Sequence, residues 1–288
     1  TTHRQFACPS AGADALELGV GRSPEGDLNH FSPIDHARQQ IGYPWERSIQ
    51  ENSSVVFGEI FQNILEGTKG LRGISPLPLP EDFSYRLGGA GFLRGNQDPS
   101  VRMGTILFES DIFRRIRLTY YDGGPIQVVN SLWYPRSQYD IPLLGINVIS
   151  FGETARQLCV IDFQPLTEGQ REMGSTLEGI KKEIPTLSGN ISGKFYDDRF
   201  FSPNILIGKF EDISNLNQAT APAVMKALEG YLSLTEGLEA EEIGAHHRDR
   251  MKEEYNRYNG EKDPSLGIYE AQFGSEWARE YVDRVKFA

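Results

Sequence analysis

The sequence predicts an α/β fold, a three-layer α/β/α sandwich with a central antiparallel sheet, and three observations carry that expectation. Between Met103 and Pro165, apolar residues recur with period two in five successive runs, as half-buried strands require. The turns joining these runs are too short to hold crossover helices, so neighbouring runs should pair antiparallel. Apolar residues at helical spacing before and after this block supply a layer for each face of the sheet.

Residues 1 to about 48 are rich in Gly, Pro, Ser, Asp and Asn without periodicity. They are expected to form a loosely structured leader, with 49–288 as a single domain. The opening Thr1-Thr-His-Arg precedes no apolar h-region, so no secretory signal is visible. In 54–68, Val56, Ile60, Ile64 and Leu65, with Phe57 and Phe61 beside them, predict an amphipathic helix. Ser75-Pro-Leu-Pro-Leu-Pro80 then reads as an extended, polyproline-like connector. Strands are expected at 103–108, 113–121, 126–134, 143–151 and 158–163, divided by turn signals such as Asp122-Gly-Gly-Pro125. Next come a helix at 171–183, a strand at 200–210 and a helical remainder lying across the sheet. In that remainder Ile243, His247, Met251, Tyr255 and Tyr258 share one helical stripe, and a last helix runs from Ser275 through Trp277 and Tyr281 to Val285.

With 288 residues, 39% of them hydrophobic, the chain can bury a substantial core. Its apolar runs fall well short of the roughly 20 residues that span a bilayer, so no membrane role is expected. A formal charge of −11 argues against a general nucleic-acid binder. Cys8 and Cys159 make no disulfide framework, which suits a reducing compartment. There is no Gly-x-Gly-x-x-Gly after a strand, no Walker-type Gly-Lys-Ser/Thr and no Gly-x-Ser-x-Gly elbow. The adjacent His246 and His247 lack the partners that a metal site needs, so no metal is assigned.

Two positions break the apolar pattern of adjacent strands. Asn130 shares a face with Ile126, Val128, Leu132 and Tyr134; Asn147 shares one with Leu143, Gly145 and Ile149. A buried amide without a partner costs about 1–3 kcal/mol, so each needs one: a polar ligand against the sheet, neighbouring backbone, or buried water. Asp263-Pro264 likewise has two readings. It suits a helix start, with Asp as N-cap and Pro in the first turn, and a carboxylate there beside a pocket can also relay protons.

The spacing of several segments resembles the ferredoxin-dependent bilin reductases, most closely the group of 15,16-dihydrobiliverdin:ferredoxin oxidoreductases. The segments are Ser75-Pro-Leu-Pro-Leu-Pro-Glu81, Phe113-Arg-Arg, Gln127-Val-Val-Asn-Ser131, Tyr139-Asp-Ile-Pro-Leu-Leu-Gly145, Ile161-Asp-Phe-Gln-Pro-Leu166, Glu261-Lys-Asp-Pro264 and Phe273-Gly-Ser-Glu-Trp277. The resemblance implies an enzyme of phycobilin biosynthesis that passes single electrons from reduced ferredoxin to bound biliverdin IXα through a bilin radical. No flavin, nicotinamide or metal cofactor is implied. The bilin is expected between the sheet and the C-terminal helices, with Asn130 and Asn147 facing it and Asp263 on the helical side. In that group the position of Asn147 normally holds an Asp regarded as a proton donor, and an amide cannot replace an acid near neutral pH. Three explanations are open: an inactivating substitution that traps substrate, a natural variant that relies on Asp263 or water, and a different regiospecificity. Plant phytochromobilin synthases, which reduce the A-ring, resemble this chain in having Asn there, so A-ring reduction is the alternative, with a non-catalytic tetrapyrrole carrier as another. Arg199, Ser202 and Arg117 are candidates for the bilin propionates. Arg114, Arg115 and Arg117 should alternate along one strand and so cannot all face one way. Lys181-Lys182 and Arg284 to Lys286 are candidates for docking ferredoxin. A downstream bilin reductase is a further candidate partner. The leader lies outside the resemblance and would suit a plastid stroma protein.

Overall fold

The five predicted strands all form, within two residues of their expected bounds, and they make up the middle of the fold. The computed structural model describes residues 32–38, 57–88, 101–124, 126–152, 156–190 and 199–288. Most of the expected leader, Cys8 included, lies outside the described residues.

Among the described residues one sheet of eight strands forms, and every pairing in it is antiparallel. Its strands are β1 (Ser75–Pro76), β2 (Tyr85–Leu87), β3 (Arg102–Glu109), β4 (Phe113–Gly123), β5 (Ile126–Pro135), β6 (Leu143–Ser150), β7 (Gln157–Gln164) and β8 (Leu206–Phe210). From β3 to β8 they lie side by side in chain order, and β1 and β2 both pair with the outer edge of β3. The helices are α1 (Pro33–Arg38), α2 (Gly58–Thr68), α3 (Glu81–Ser84), α4 (Ser175–Glu183), α5 (Ile213–Ser233), α6 (Ala245–Lys262), α7 (Leu266–Phe273) and α8 (Ser275–Tyr281).

One face of the sheet is covered without a break. Ile106, Leu118, Ile146 and Ile161, with Phe108, Ile116, Trp133 and Leu144 in the next row but one, join α2, α4 and α5 in a single cluster. On α2 the set Ile60, Phe61, Ile64 and Leu65 is at most 1% exposed, and each such side chain contributes about 1.5–3 kcal/mol. Helix α5 starts where Asp212 accepts the Asn215 N–H at 2.8 Å, and its Pro222 sits on the exposed side.

The opposite face carries two separate apolar clusters. One joins Met103 and Tyr121 to Tyr269, Phe273, Trp277 and Tyr281; the other joins Leu132, Tyr134, Leu143 and Val160 to Phe200, Phe201 and Tyr255. Between them the central strands are only partly covered: along β6 the face-one residues are buried, whereas Gly145, Asn147 and Ile149 are half-exposed. A cleft therefore lies over β5 and β6, flanked by the C-terminal helices.

Several expectations needed correction. The polyproline-like segment joins the sheet: Ser75 and Pro76 pair with β3, and the Leu77 N–H reaches the Leu107 carbonyl at 2.9 Å. An edge tolerates proline because its outward N–H needs no partner. The helix expected at 171–183 begins as a 3₁₀ turn, Gly169–Gly174, and becomes α-helical only at Ser175. In 200–210 only Leu206–Phe210 pairs as a strand, because Ser202 is held in a turn. Pro33–Arg38, within the expected leader, is a short helix that buries Ala37. The last helix gives way at Val282 to a π-turn, Val282–Lys286.

Candidate active site

Register places the polar residues of the second face in line. Thr105, Thr119, Asn130 and Asn147 are successive partners across β3, β4, β5 and β6, continued by Val160 and Ile207. The adjacent row is Leu107, Arg117, Leu132, Gly145 and Asp162. A polar strip thus crosses the sheet between the two apolar clusters.

These residues bond to one another. Asn130 Nδ2 donates to Asn147 Oδ1 at 3.1 Å, and Asn130 Oδ1 accepts from Arg117 Nη2 at 2.5 Å. Arg117 Nη1 donates to Thr119 Oγ1 at 2.9 Å. From above, the Tyr281 hydroxyl lies 2.8 Å from Thr105 Oγ1 and 2.9 Å from Thr119 Oγ1. The partner each amide needs is therefore supplied in part by the other, and Asn130 also has a guanidinium.

The cations here are short of anions. Arg117 is 1% exposed, its Nε has no acceptor, and among the described residues no carboxylate pairs with it. Arg115 and Arg114 lie over the Tyr134 ring at 4.5 and 4.8 Å. Strict alternation along β4 fails because a register shift between Phe113 and Arg115 brings both to one tyrosine. Burial, together with Arg117 and Arg114 and against the favourable effect of Tyr134, pushes Arg115 down to about 10. Buried charge without a counter-charge is costly, so this side of the cleft favours an anionic ligand.

Asp263 lies elsewhere. It follows α6 instead of opening a helix, and its carboxylate accepts from Lys286 Nζ at 2.7 Å and from the Ser265 N–H at 3.0 Å and Oγ at 2.9 Å. Both side chains of the ion pair are buried, so Lys286 is no surface docking residue. Asp263 connects to the polar strip through rings: Lys286 Nζ stands 5.3 Å from the Tyr269 centroid, and Tyr269 stands 5.6 Å from Tyr281. Burial and the Asp263 carboxylate, against a hydrogen bond with Ser265, push the Tyr269 hydroxyl up to about 12.

Ser202 and Arg199 flank Phe200 and Phe201 in the cluster around Tyr255, whose ring stands 5.7 Å from Phe200 and 6.3 Å from Tyr134. The Ser202 hydroxyl donates to Asp162 Oδ1 at 2.5 Å and its N–H to Oδ2 at 3.0 Å; the Arg199 guanidinium is 5.2 Å from the Phe200 centroid. On α6 the expected stripe holds only in part. His247 and Ile243 are exposed, and the buried positions are Arg248, Lys252 and Tyr255. Arg248 Nε donates to the Ser137 carbonyl and Lys252 Nζ to the Pro135 carbonyl, both at 2.6 Å, fastening α6 to the loop after β5. Polar bonding outcompetes the apolar stripe because that loop presents carbonyls.

Sequence reasoning missed Asp162, Gln164 and the hydroxyl of Tyr255. The Tyr255 hydroxyl donates to Gln164 Oε1 at 2.5 Å, and a Cβ at Gly145 would stand 2.8 Å from Gln164 Nε2. The signal was present: Asp162 and Gln164 interrupt an apolar strand just as Asn130 and Asn147 do. Among the described residues no group of three or more His, Cys, Asp or Glu side chains could hold a metal ion, and no helix is long and apolar enough to cross a membrane.

The antiparallel sheet thus leaves a partly open face beside the C-terminal helices, with amides on it and buried guanidinium groups next to them, a chemistry suited to an extended organic anion. Residues 61–288 match the family model described as ferredoxin-dependent bilin reductase, and the chain belongs to that family. It is therefore a ferredoxin-dependent bilin oxidoreductase, in a family that takes its electrons from ferredoxin. The protein is 31% identical over 205 residues to a 15,16-dihydrobiliverdin:ferredoxin oxidoreductase of Nostoc punctiforme, covering 67% of this chain and 81% of that one. The enzyme of the same name from Gloeobacter violaceus is 30% identical over 220 residues, covering 73% and 85%. The fold is similar to a crystal structure of phytochromobilin synthase from tomato in complex with biliverdin, with TM-score 0.68, 21% identity and coverage of 80% of this chain and 82% of that one.

Proposed function

We propose that this protein binds biliverdin IXα in the cleft over β5 and β6 and reduces its 15,16 double bond with two electrons from reduced ferredoxin and two protons. The product is 15,16-dihydrobiliverdin. The observation that carries the binding is the polar strip on an otherwise apolar sheet face, with Arg117 and Arg115 buried beside it and lacking counter-charges. A linear tetrapyrrole fits this chemistry, since its pyrrole and lactam groups can meet the amides while its propionates meet guanidinium groups. The regiochemistry is supported by the relatives of 28–31% identity, which carry the 15,16 name.

Electrons enter one at a time, so a bilin radical separates two protonations, and the side chains decide which carbon receives each proton. Asn147 orients without donating an acid proton. Asp263 is a relay on the helical side, and Arg199 a further candidate for propionate. The amide at 147 also favours a second reading, A-ring reduction. Product from a downstream bilin reductase's point of view is then its substrate, and a plastid stroma setting would suit a eukaryotic source.

The test is anaerobic mixing with biliverdin and a ferredoxin-reducing system, followed by absorption and product chromatography. A 15,16-reduced bilin is expected; an A-ring-reduced product would establish the second reading, and unchanged bound biliverdin a carrier. Arg117→Met is expected to keep or raise the urea midpoint, because a well-packed apolar side chain commonly replaces a buried charge at no cost. Biliverdin affinity should fall by about 10-fold or more, the loss of one charge-assisted hydrogen bond. Unaltered affinity would remove Arg117 from the binding site.

A further inference from the structure

Bilin reduction consumes protons, and the cleft floor is poor in acids. Asn130, Asn147 and Gln164 are amides, which supply no acidic proton. Among the described residues two carboxylates are buried on the strands, Asp122 at 7% exposure and Asp162 at 0%. Asp122 faces Arg102 at 3.4 Å near the end of β4, away from the cleft. Asp162 is on the cleft side of β7, directly opposite Gly145 and diagonal to Asn147. Diagonal neighbours in an antiparallel sheet are roughly 7–8 Å apart. Gly145, which has no side chain, lies beside both Asp162 and Asn147, and the Gln164 amide stands over it, Nε2 2.8 Å from where a Cβ would be.

We propose that Asp162 is a catalytic residue of the reductase, donating a proton to the bilin across Gly145. The role presupposes the bilin reduction proposed above. One electron from reduced ferredoxin gives a bilin radical anion; the Asp162 O–H bond then breaks and a C–H bond forms on the bilin, leaving a carboxylate. A second electron from ferredoxin and a second proton complete the two-electron reduction, and solvent returns a proton to Asp162.

The surroundings suit an acid that works near neutrality. Burial raises Asp162 to about 7, against the lowering effect of the Ser202 hydroxyl and N–H, the Phe163 N–H and Lys181. Lys181 on α4 and Tyr255 on α6 are the titratable groups that interact with it from the packed helices. Among the described residues no cation forms an ion pair with it. Its proton is thus retained at a pH where an exposed carboxyl has lost it.

The experiment uses the full chain with biliverdin and a ferredoxin-reducing system under anaerobic conditions. Asp162→Asn is expected to bind biliverdin like the parent and to form the radical, while product formation falls by about 100-fold. Adding Asn147→Asp puts a carboxyl on the neighbouring strand and should raise the rate of Asp162→Asn by more than the same change raises that of the parent, because only the variant lacks its acid. Ser202→Ala gives an independent readout. It keeps the acid and removes a donor that favours its ionised form, so Asp162 titrates higher. A general acid loses activity as pH rises through its pKa, and the alkaline limb of the Ser202→Ala profile should move to higher pH. Parent-like product formation in Asp162→Asn, a gain of the same size from Asn147→Asp in the parent and in Asp162→Asn, or an unmoved Ser202→Ala profile each overturns the proposal. If Asp162→Asn does not fold, the Ser202→Ala profile decides. A parent protein that binds no biliverdin refutes the bilin reading itself, separately from Asp162.

Discussion

Asn147→Asp should raise the rate of product formation by about 10-fold or more, since a placed general acid contributes about 100- to 10,000-fold and this site already turns over by another route. The geometry accepts the change. Asn147 receives its hydrogen bond from Asn130 Nδ2 at Oδ1, and an aspartate keeps that acceptor with nearly the same shape. Arg117, bonded to the far side of Asn130, would favour the ionised form, while the half-buried position favours the neutral one. The measurement is single-turnover reduction followed across pH, with the product identified. An aspartate that gives no gain means that the amide belongs to the native chemistry, and a change of product means that residue 147 selects the reduced bond.

Asp263→Asn should lower both stability and turnover, and the two effects can be separated. An asparagine still accepts from Ser265, but it leaves the Lys286 ammonium buried without a counter-charge. Removing one partner of a buried pair costs about 3–5 kcal/mol, so the urea midpoint should fall sharply. Adding Lys286→Met removes the stranded charge and should restore most of the stability. If Asp263 is the relay proposed above, turnover should stay low in that double variant while biliverdin remains bound. If turnover returns with stability, Asp263 is a strut for the C-terminal helices and takes no part in proton delivery.

Much of the fold was legible because strand periodicity reports which side of a sheet is dry. The runs of β3 to β7 and the helix carrying Ile60, Phe61 and Ile64 follow from apolar spacing alone. The flags at Asn130 and Asn147 were legible for the same reason, as polar residues in apolar positions. Asp162 and Gln164 carried the same signal. Lys286 did not: a lysine near a chain end reads as surface, and only packing of the π-turn against the helix junction buries it beside Asp263.

By itself the sequence determined the antiparallel order of the strands, the two-faced character of the sheet and the amides that interrupt one face, since each depends only on spacing along the chain. Tertiary structure decided which polar groups meet. Register set Asn130 against Asn147, a bulge turned Arg114 and Arg115 toward one tyrosine, and helix packing joined Asp263 to Lys286 and closed Ser202 over Asp162. Those are contacts between residues far apart in the chain, whose energies depend on burial and distance, and neither quantity exists until the sheet and its helices have come together.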